Sequence, residues 1–173
     1  MRRVRGIGLV ILTTLALALS AYGAELKIAY IDVQRILAES ERGKAVKREI
    51  EKRGAELDKI FRQKKAELQA LREELEKQSA LLSEEARKEK EKEYQRKMKE
   101  LERFVRDSRE EIRQMEVEKT TALLKSLEKV VKRIGEEQHY TLILEKQRSF
   151  ILYAPPELDI TDQVIKAFDA AKE

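Results

Sequence analysis

The sequence has no cysteine and only one histidine, and this composition excludes several kinds of chemistry. Without cysteine the chain has no disulfide, no thiolate metal site and no cysteine nucleophile. The one histidine, His139, lies in a polar segment and has no second histidine at metal-ligand spacing. A Gly-rich phosphate loop and a GxSxG motif are also missing. We therefore expect no enzymatic activity, no cofactor and no bound metal ion, and we assign no catalytic residue.

Aromatic residues are scarce and charged residues are abundant, a balance typical of long exposed helices. Aromatic side chains make up 5% of the chain and charged ones 40%. Residues 42–135 contain no proline, and their apolar residues recur at alternating steps of four and three, as in a coiled coil. A first run consists of Leu57, Phe61, Leu68, Leu71 and Leu75, and a second run of Tyr94, Met98, Leu101, Val105, Ile112 and Met115.

The two runs do not share one heptad register, because the second lies two residues out of phase with the first. Between them, residues 83–93 offer only Ala86 as an apolar residue. This break predicts a reversal at a tip near residues 79–83, with Ser83 capping the second helix. Residues 42–135 would then form a long antiparallel helical hairpin, an arm of about 60 to 70 Å. One unbroken rod is the alternative, since the tip contains neither glycine nor proline.

The N-terminus has the three regions of a secretory signal peptide. Three arginines precede an uncharged apolar run over residues 7–19, and the small residues Ala21 and Gly23 follow it. We therefore predict a cleavable signal peptide over residues 1–23, cut after Gly23, and an exported chain. A retained membrane anchor is the alternative, although it would require about 20 apolar residues.

Removal of the signal peptide changes the charge balance. The full chain carries a net charge of +4 and the signal peptide contributes three arginines and no acid, so the mature chain carries +1. Residues 43–135 contain 27 Lys and Arg against 21 Asp and Glu, whereas the segments on either side are acidic. The arm is therefore the basic part of a nearly neutral protein.

The excess of cations on the arm has two interpretations. The cations keep long helices soluble, or they act together to attract acidic polypeptides or anionic lipid headgroups without fixed geometry. Nucleic acid is a poor partner for an exported chain. The candidate binding residues, taken collectively, are Lys64, Lys65, Arg72, Arg87, Lys88, Arg96, Lys97, Arg103, Arg106 and Arg113.

Strand-like and helical segments from both ends of the chain flank the arm. Residues 26–33 have the β-branched and aromatic composition of a buried strand, and Asp32 can cap the short helix that follows. Residues 140–144 and 149–153 are also strand-like, and they form either a hairpin or two strands beside the first one. A last helix begins near Thr161, its predicted N-cap.

These segments, residues 24–41 and 136–173, predict one small β-sheet body from which the arm projects. The fold class is therefore α+β, but mainly α. A body of this size buries little apolar surface, and an exposed three-stranded sheet invites pairing at its edges. We therefore expect the body to oligomerise, with a subunit number that these arguments leave open. Its predicted oligomer-forming residues are Ile28, Tyr30, Ile31, Leu142, Leu144, Phe150 and Leu152.

Three segments of the mature chain resemble, in order, the Skp/OmpH family of periplasmic chaperones. They are KIAYIDVQRIL at residues 27–37, ESERGKA at residues 39–45 and LDITDQVI at residues 158–165. The resemblance implies a homotrimer assembled through the β-sheet body, with three arms enclosing a cavity that holds unfolded outer-membrane β-barrel proteins. It also implies a periplasmic location, and lipopolysaccharide binding as in some members of the family.

We therefore expect an ATP-independent holdase chaperone that prevents the aggregation of outer-membrane proteins before membrane insertion. The alternative is an envelope coiled-coil scaffold or adaptor, which the hairpin and the signal peptide suit equally well. The two functions differ in their partners. A holdase binds many unfolded chains through weak contacts, whereas an adaptor binds one folded protein.

Overall fold

The computed structural model describes residues 26–78 and 82–171, which contain two strands and four α-helices. The predicted signal peptide, residues 1–23, and most of the predicted tip, residues 79–81, lie outside this part of the chain. The fold is mainly helical with a small sheet, as predicted. The elements in chain order are β1 (Ile28–Ile31), α1 (Val33–Glu39), α2 (Glu41–Gln78), α3 (Glu84–Glu137), β2 (Leu142–Glu145), a 3-10 turn (Pro156–Leu158) and α4 (Thr161–Ala170).

Helices α2 and α3 pack against each other in opposite directions, so the predicted hairpin is confirmed and the unbroken rod is wrong. All apolar residues of the two predicted runs are buried or half-buried, which confirms their periodicity. Only Leu57 and Leu71 among them are buried and the rest are half-buried, because two helices alone cover only a narrow stripe of each other. Ser83 caps α3 as predicted, since its Oγ accepts a hydrogen bond from Ala86 N at 3.2 Å.

The root of the arm is a sharp junction at Ser40, where α1 ends and α2 begins. Asp32 caps α1 as predicted, because its carboxylate accepts a hydrogen bond from Arg35 N at 3.0 Å. Gly43 lies in the first turn of α2, where an added Cβ would lie 1.8 Å from the carbonyl oxygen of Leu37. The close approach of the two helices at this junction therefore requires a glycine.

The sheet in the described residues has two parallel strands rather than three. Strands β1 and β2 pair in register from Ile28 opposite Leu142 to Ile31 opposite Glu145. Parallel strands need a long crossover connection, and here the whole arm supplies it. The other edge of β1 is partly covered, because an isolated bridge joins Tyr30 to the segment before α4. The second edge of β2 has no neighbour among the described strands.

Residues 149–153 do not form a strand, so the predicted hairpin with residues 140–144 is wrong. The chain turns directly after β2, and Ser149 N donates to the carbonyl oxygen of Glu145 at 3.0 Å. Phe150 follows in the left-handed region with a φ of 50°. The β-prone composition of this segment is therefore overridden by a local turn, and the segment pairs with neither β1 nor β2.

One apolar core joins the sheet, the root of the arm and α4. The last turns of α3 contribute to it, so a single continuous helix runs from the body into the arm. No helix within residues 26–78 and 82–171 is both long and apolar enough to cross a bilayer. The buried core residues are Ala29, Ile31, Ile36, Leu123, Leu127, Val130, Ile134, Ile160, Val164 and Phe168.

Helix α4 begins at Thr161 itself, which corrects the predicted N-cap role of this residue. The Thr161 side chain is buried, and its Oγ1 accepts a hydrogen bond from Asp32 N at 3.0 Å. The Asp159 carboxylate instead accepts a hydrogen bond from Thr161 N at 2.9 Å. Thr161 therefore ties the last helix to the end of β1.

Candidate functional site

No group of three or more His, Asp or Glu residues in the described part of the chain is arranged to hold a metal ion. His139 lies directly after α3, where it is exposed and adopts a φ of 56°. This is the left-handed position that commonly follows a helix. The candidate site therefore consists of charged and apolar surfaces.

Six of the ten predicted binding cations form ion pairs within the arm. Lys97 crosses from α3 to α2 and contacts Glu67 at 2.9 Å. The other five pair with carboxylates three or four positions away on the same helix, and such exposed pairs are weak and readily exchanged. They are Arg72–Glu76, Arg87–Glu91, Lys88–Glu84, Arg96–Glu100 and Arg113–Glu110, with N–O distances of 2.6 to 3.8 Å.

These contacts shift pKa values so that the charged forms are favoured. Hydrogen bonds from Arg113 and Gln114 lower the pKa of the Glu110 carboxyl to about 2. The hydrogen bond between Lys97 and Glu67 lowers the pKa of Glu67 and raises the pKa of Lys97. These paired groups are therefore ionised throughout the neutral pH range.

The other four predicted cations are in different surroundings. Lys64 Nζ lies 5.8 Å from the centre of the Phe104 ring on the facing helix, which is the outer limit of a cation–π contact. Lys65, Arg103 and Arg106 form no ion pair with any residue that the structure describes. Their positive charge is therefore not compensated by a direct partner there.

Five cations line an open cleft of 720 Å³ on α3, and we call this surface the basic face. Four of them precede a seam residue by two positions, which places them on the side of α3 that faces away from α2. Only Glu91 and Glu100 provide negative charge in the lining. The cations of the basic face are Lys88, Lys92, Arg96, Lys99 and Arg103.

The basic face includes only part of the predicted set and adds two new residues. Lys92 and Lys99 were not selected from the sequence, although their spacing from Arg103 follows the same heptad pattern as the seam. Neither forms an ion pair in the described part of the chain. The predicted cations that lie outside this face are Lys64, Lys65 and Arg72 on α2, and Arg87, Lys97, Arg106 and Arg113 on α3.

The body exposes large apolar side chains of the predicted oligomer-forming set. Ile28 and Leu142 lie opposite each other in the sheet and are 39% and 47% exposed. Phe150 and Leu152 follow β2 and are 84% and 99% exposed. All four side chains are therefore large, apolar and solvent-exposed in the single chain. Tyr30 and Leu144 are half-buried on the same sheet face, whereas Ile31 lies in the interior of the body.

A second cleft of 590 Å³ lies at the root of the arm. It is bounded by α1, the root of α3 and the turn after β2, and its rim carries Glu128, Lys132 and Arg148. Its lining is mainly apolar, in contrast to the basic face. The apolar lining residues are Ile31, Val33, Leu37, Leu124, Leu127 and Val131.

These features define the class of the protein as a long helical hairpin on a small α+β body. The family model described as Outer membrane protein (OmpH-like) matches residues 27–168, and the chain belongs to this family. The resemblance that we identified in the sequence is therefore confirmed.

The fold is also similar to a crystal structure of a protein from Caulobacter crescentus CB15 that is assigned as an OmpH-like outer membrane chaperone. The TM-score is 0.78, and the two sequences are 19% identical. The alignment covers 83% of this chain and 84% of that one. No curated protein matches the sequence.

Proposed function

We propose that the chain is an ATP-independent holdase chaperone of the periplasm that binds unfolded outer-membrane β-barrel proteins. The basic face of α3 carries this proposal, because it presents five cations on an open surface, and Lys92, Lys99 and Arg103 have no ion-pair partner in the described residues. An open row of cations attracts negative charge without requiring a fixed shape, which suits a partner without folded structure. Membership of the OmpH-like family supports this role, as does the similar fold of a protein assigned as an outer membrane chaperone.

The proposed mechanism relies on many weak contacts rather than one tight site. The basic face attracts acidic stretches of the client, and the apolar cleft at the root of the arm accepts apolar side chains. Contacts that are individually weak become tight in sum when one client engages several of them at once. Each contact exchanges quickly, so the client leaves when folding into the membrane is more favourable. No nucleotide, cofactor or enzymatic step is required.

The proposed holdase is a homotrimer whose arms surround the client. Support comes from the free edge of β2 and from the exposed apolar residues Ile28, Leu142, Phe150 and Leu152. An unpaired strand edge and large exposed apolar side chains are both typical of subunit contacts. Residues 149–153 are β-prone in sequence but form no strand in the single chain, and a segment of this composition can pair with a strand of another subunit.

The basic face also suits anionic headgroups, including those of lipopolysaccharide, because phosphate groups are attracted by the same exposed cations. The proposed periplasmic location rests on the predicted signal peptide and on the family. In this compartment an unfolded β-barrel protein and an anionic membrane surface would both be within reach of the arms.

An aggregation assay tests the proposed function. A denatured outer-membrane β-barrel protein is diluted into buffer with the purified mature chain, and light scattering is followed over time. We expect suppression of aggregation at a small molar excess of the chain. It should weaken between about 0.1 M and about 1 M salt, since the Debye length falls from about 10 Å to about 3 Å. Client alone at each salt concentration is the baseline.

Matched charge variants locate the binding surface. Replacing the unpaired cations of the basic face (Lys92→Gln, Lys99→Gln, Arg103→Gln) should raise the concentration needed for suppression by about tenfold. The control (Lys125→Gln, Lys129→Gln, Arg133→Gln) removes the same charge from exposed positions on the root of the same helix and should have little effect. Absence of suppression by the unaltered chain at several-fold excess would refute the holdase function. Equal loss in both variants would refute the role of the basic face.

A further inference from the structure

The N-terminus of α2 depends on a side chain from another helix. The first amide groups of an α-helix lack partners within the helix and need acceptors from elsewhere. The Ser40 Oγ accepts a hydrogen bond from Gly43 N at 3.1 Å. The amides of Glu41 and Arg42 instead donate to the Asp169 carboxylate on α4, at 2.9 Å and 3.4 Å. Two of the amides at the root of the arm are therefore held by the last helix of the chain.

The position of the Asp169 carboxylate does not stabilise its own helix, α4. It lies next to the last residue of α4, where the helix dipole disfavours a negative charge. The same carboxylate lies at the N-terminus of α2, where the dipole favours a negative charge. Its position is thus unfavourable for α4 and favourable for α2.

A second set of contacts joins α2 and α4 and also reaches α3. The Arg42 guanidinium lies over the ring of Phe168, with its central carbon 4.5 Å from the ring centre. Arg42 Nη2 also donates to Ser126 Oγ on α3 at 3.0 Å. Phe168 is fully buried in the core of the body, so Arg42 links this core to both helices of the arm.

We propose that Asp169 and Arg42 form a positioning node through which the C-terminal helix fixes the direction of α2 relative to the body. The backbone at Ser40 is extended and α1 is not continuous with α2, so contacts outside the chain connection add to the packing at Gly43 in holding that direction. The node does so by holding the first turn of α2 from α4 and from α3. The arm direction would set the width of the client cavity, and this consequence alone rests on the proposed function.

The test measures the junction in the full chain without any client, so its outcome is separate from that of the proposed function. The sequence contains no cysteine, so two introduced cysteines carry spin labels at unique positions. Ala38→Cys on α1 and Ala66→Cys on α2 replace exposed alanines on either side of Ser40. Labelled chains are diluted with unlabelled chains to remove distances between subunits. Hydrogen exchange of the amides at residues 41 and 42 is measured in parallel.

Two substitutions of Asp169 distinguish the effect of its hydrogen bonds to α2 from an effect on the stability of the whole protein. Asp169→Ala should broaden the label distance distribution and reduce protection of the two amides by roughly fivefold, while the core amides stay protected. Asp169→Asn should resemble the unaltered chain, because asparagine is an equally good cap. The control, Asp162→Ala, removes a carboxylate from the same helix that pairs with Arg35 on α1.

Three results would overturn the proposal. One is an unchanged distance distribution in Asp169→Ala, and another is a disturbance of the same size in Asp162→Ala. The third is loss of the junction in Asp169→Asn as well as in Asp169→Ala, which would show that the hydrogen bonds to the two amides are not what holds α2. Asp169 is exposed, so its replacement leaves the apolar core in place.

Discussion

Two glycines of α2 have opposite roles although both lie within the same helix. Gly43 lies where α1 and α2 approach, and an added Cβ there would lie 1.8 Å from the Leu37 carbonyl oxygen. Gly54 lies further along the arm, and an added Cβ there would have no neighbour within 4 Å. The same residue type is thus required by close packing at one position and is only a weak point of the helix at the other.

This contrast predicts opposite effects of one substitution. Gly43→Ala should lower the free energy of unfolding by about 1 to 3 kcal/mol or more, because the backbone must shift to admit the methyl group. Gly54→Ala should raise it by about 0.5 to 1 kcal/mol, because alanine has the higher helix propensity and meets no clash. Denaturant unfolding followed by circular dichroism measures both. Similar effects of the same sign in the two variants would contradict this account of the junction.

Local capping could be predicted from the sequence, whereas the contacts of the root could not. Asp32 and Ser83 were identified as caps because the side chain and the amide it accepts from lie three residues apart. Asp169 caps α2 across 128 residues of sequence, and such a partner is visible only in the folded chain. The missed role of Thr161 has the same cause, since its hydroxyl bonds to Asp32 N rather than to its own helix.

Ion pairs between α2 and α3 supplement the narrow apolar seam of the arm. Glu74 contacts Lys90 at 2.7 Å and Glu67 contacts Lys97 at 2.9 Å towards the tip. Nearer the root, Arg53 contacts Glu111 at 2.5 Å. These residues flank the seam at heptad spacing, as charged pairs do in coiled coils.

From these ion pairs we predict how the stability of the arm depends on pH. Hydrogen bonds lower the pKa values of Glu67, Glu110 and Glu111 below the ordinary value of 4.5. Their stabilising effect is therefore present above pH 4.5 and lost as the pH falls towards the lowered pKa values. Contacts with carboxylates raise the pKa values of Lys97 and Lys119, so their contribution is present below pH 10.5 and lost above it.

We expect the helical melting temperature to be nearly constant between about pH 5.5 and pH 9.5 and to fall on either side. Circular dichroism at 222 nm across this range measures it. The acid-side fall should be smaller in Glu67→Gln, because that carboxylate no longer titrates. A melting temperature at about pH 3 equal to that at pH 7 would contradict a contribution of these pairs.

The two helices of the arm could be predicted from the sequence more fully than the sheet. Apolar residues that recur over many turns indicate the buried face of a helix, and a change in their phase indicates that the chain reverses direction. The strand predicted at residues 149–153 was wrong because the chain turns directly after β2, and composition indicates only that a segment can pair, not that it does. The sequence alone does not show that Lys92 and Lys99 share one face of α3 with Lys88, Arg96 and Arg103, because nearly every turn of the arm carries a cation.

The protein combines a small body with a long arm. The body places Phe150, Leu152 and Tyr153 almost fully in solvent and leaves one edge of β2 unpaired. Association would stabilise such a chain, because it would cover the exposed apolar surface and pair the free strand edge. The arms of an assembled body would then face a common space, and this arrangement is the central claim of the proposed function.

The solution mass of the purified mature chain, with and without an unfolded outer-membrane β-barrel protein, tests that claim most directly. Native mass spectrometry should give a mass of three subunits for the chain alone and the same three subunits with one client bound after mixing. The variant Leu152→Asp should shift the chain towards monomer, because a charge at this exposed apolar position opposes subunit contact. A monomer that leaves the client unbound would contradict the account.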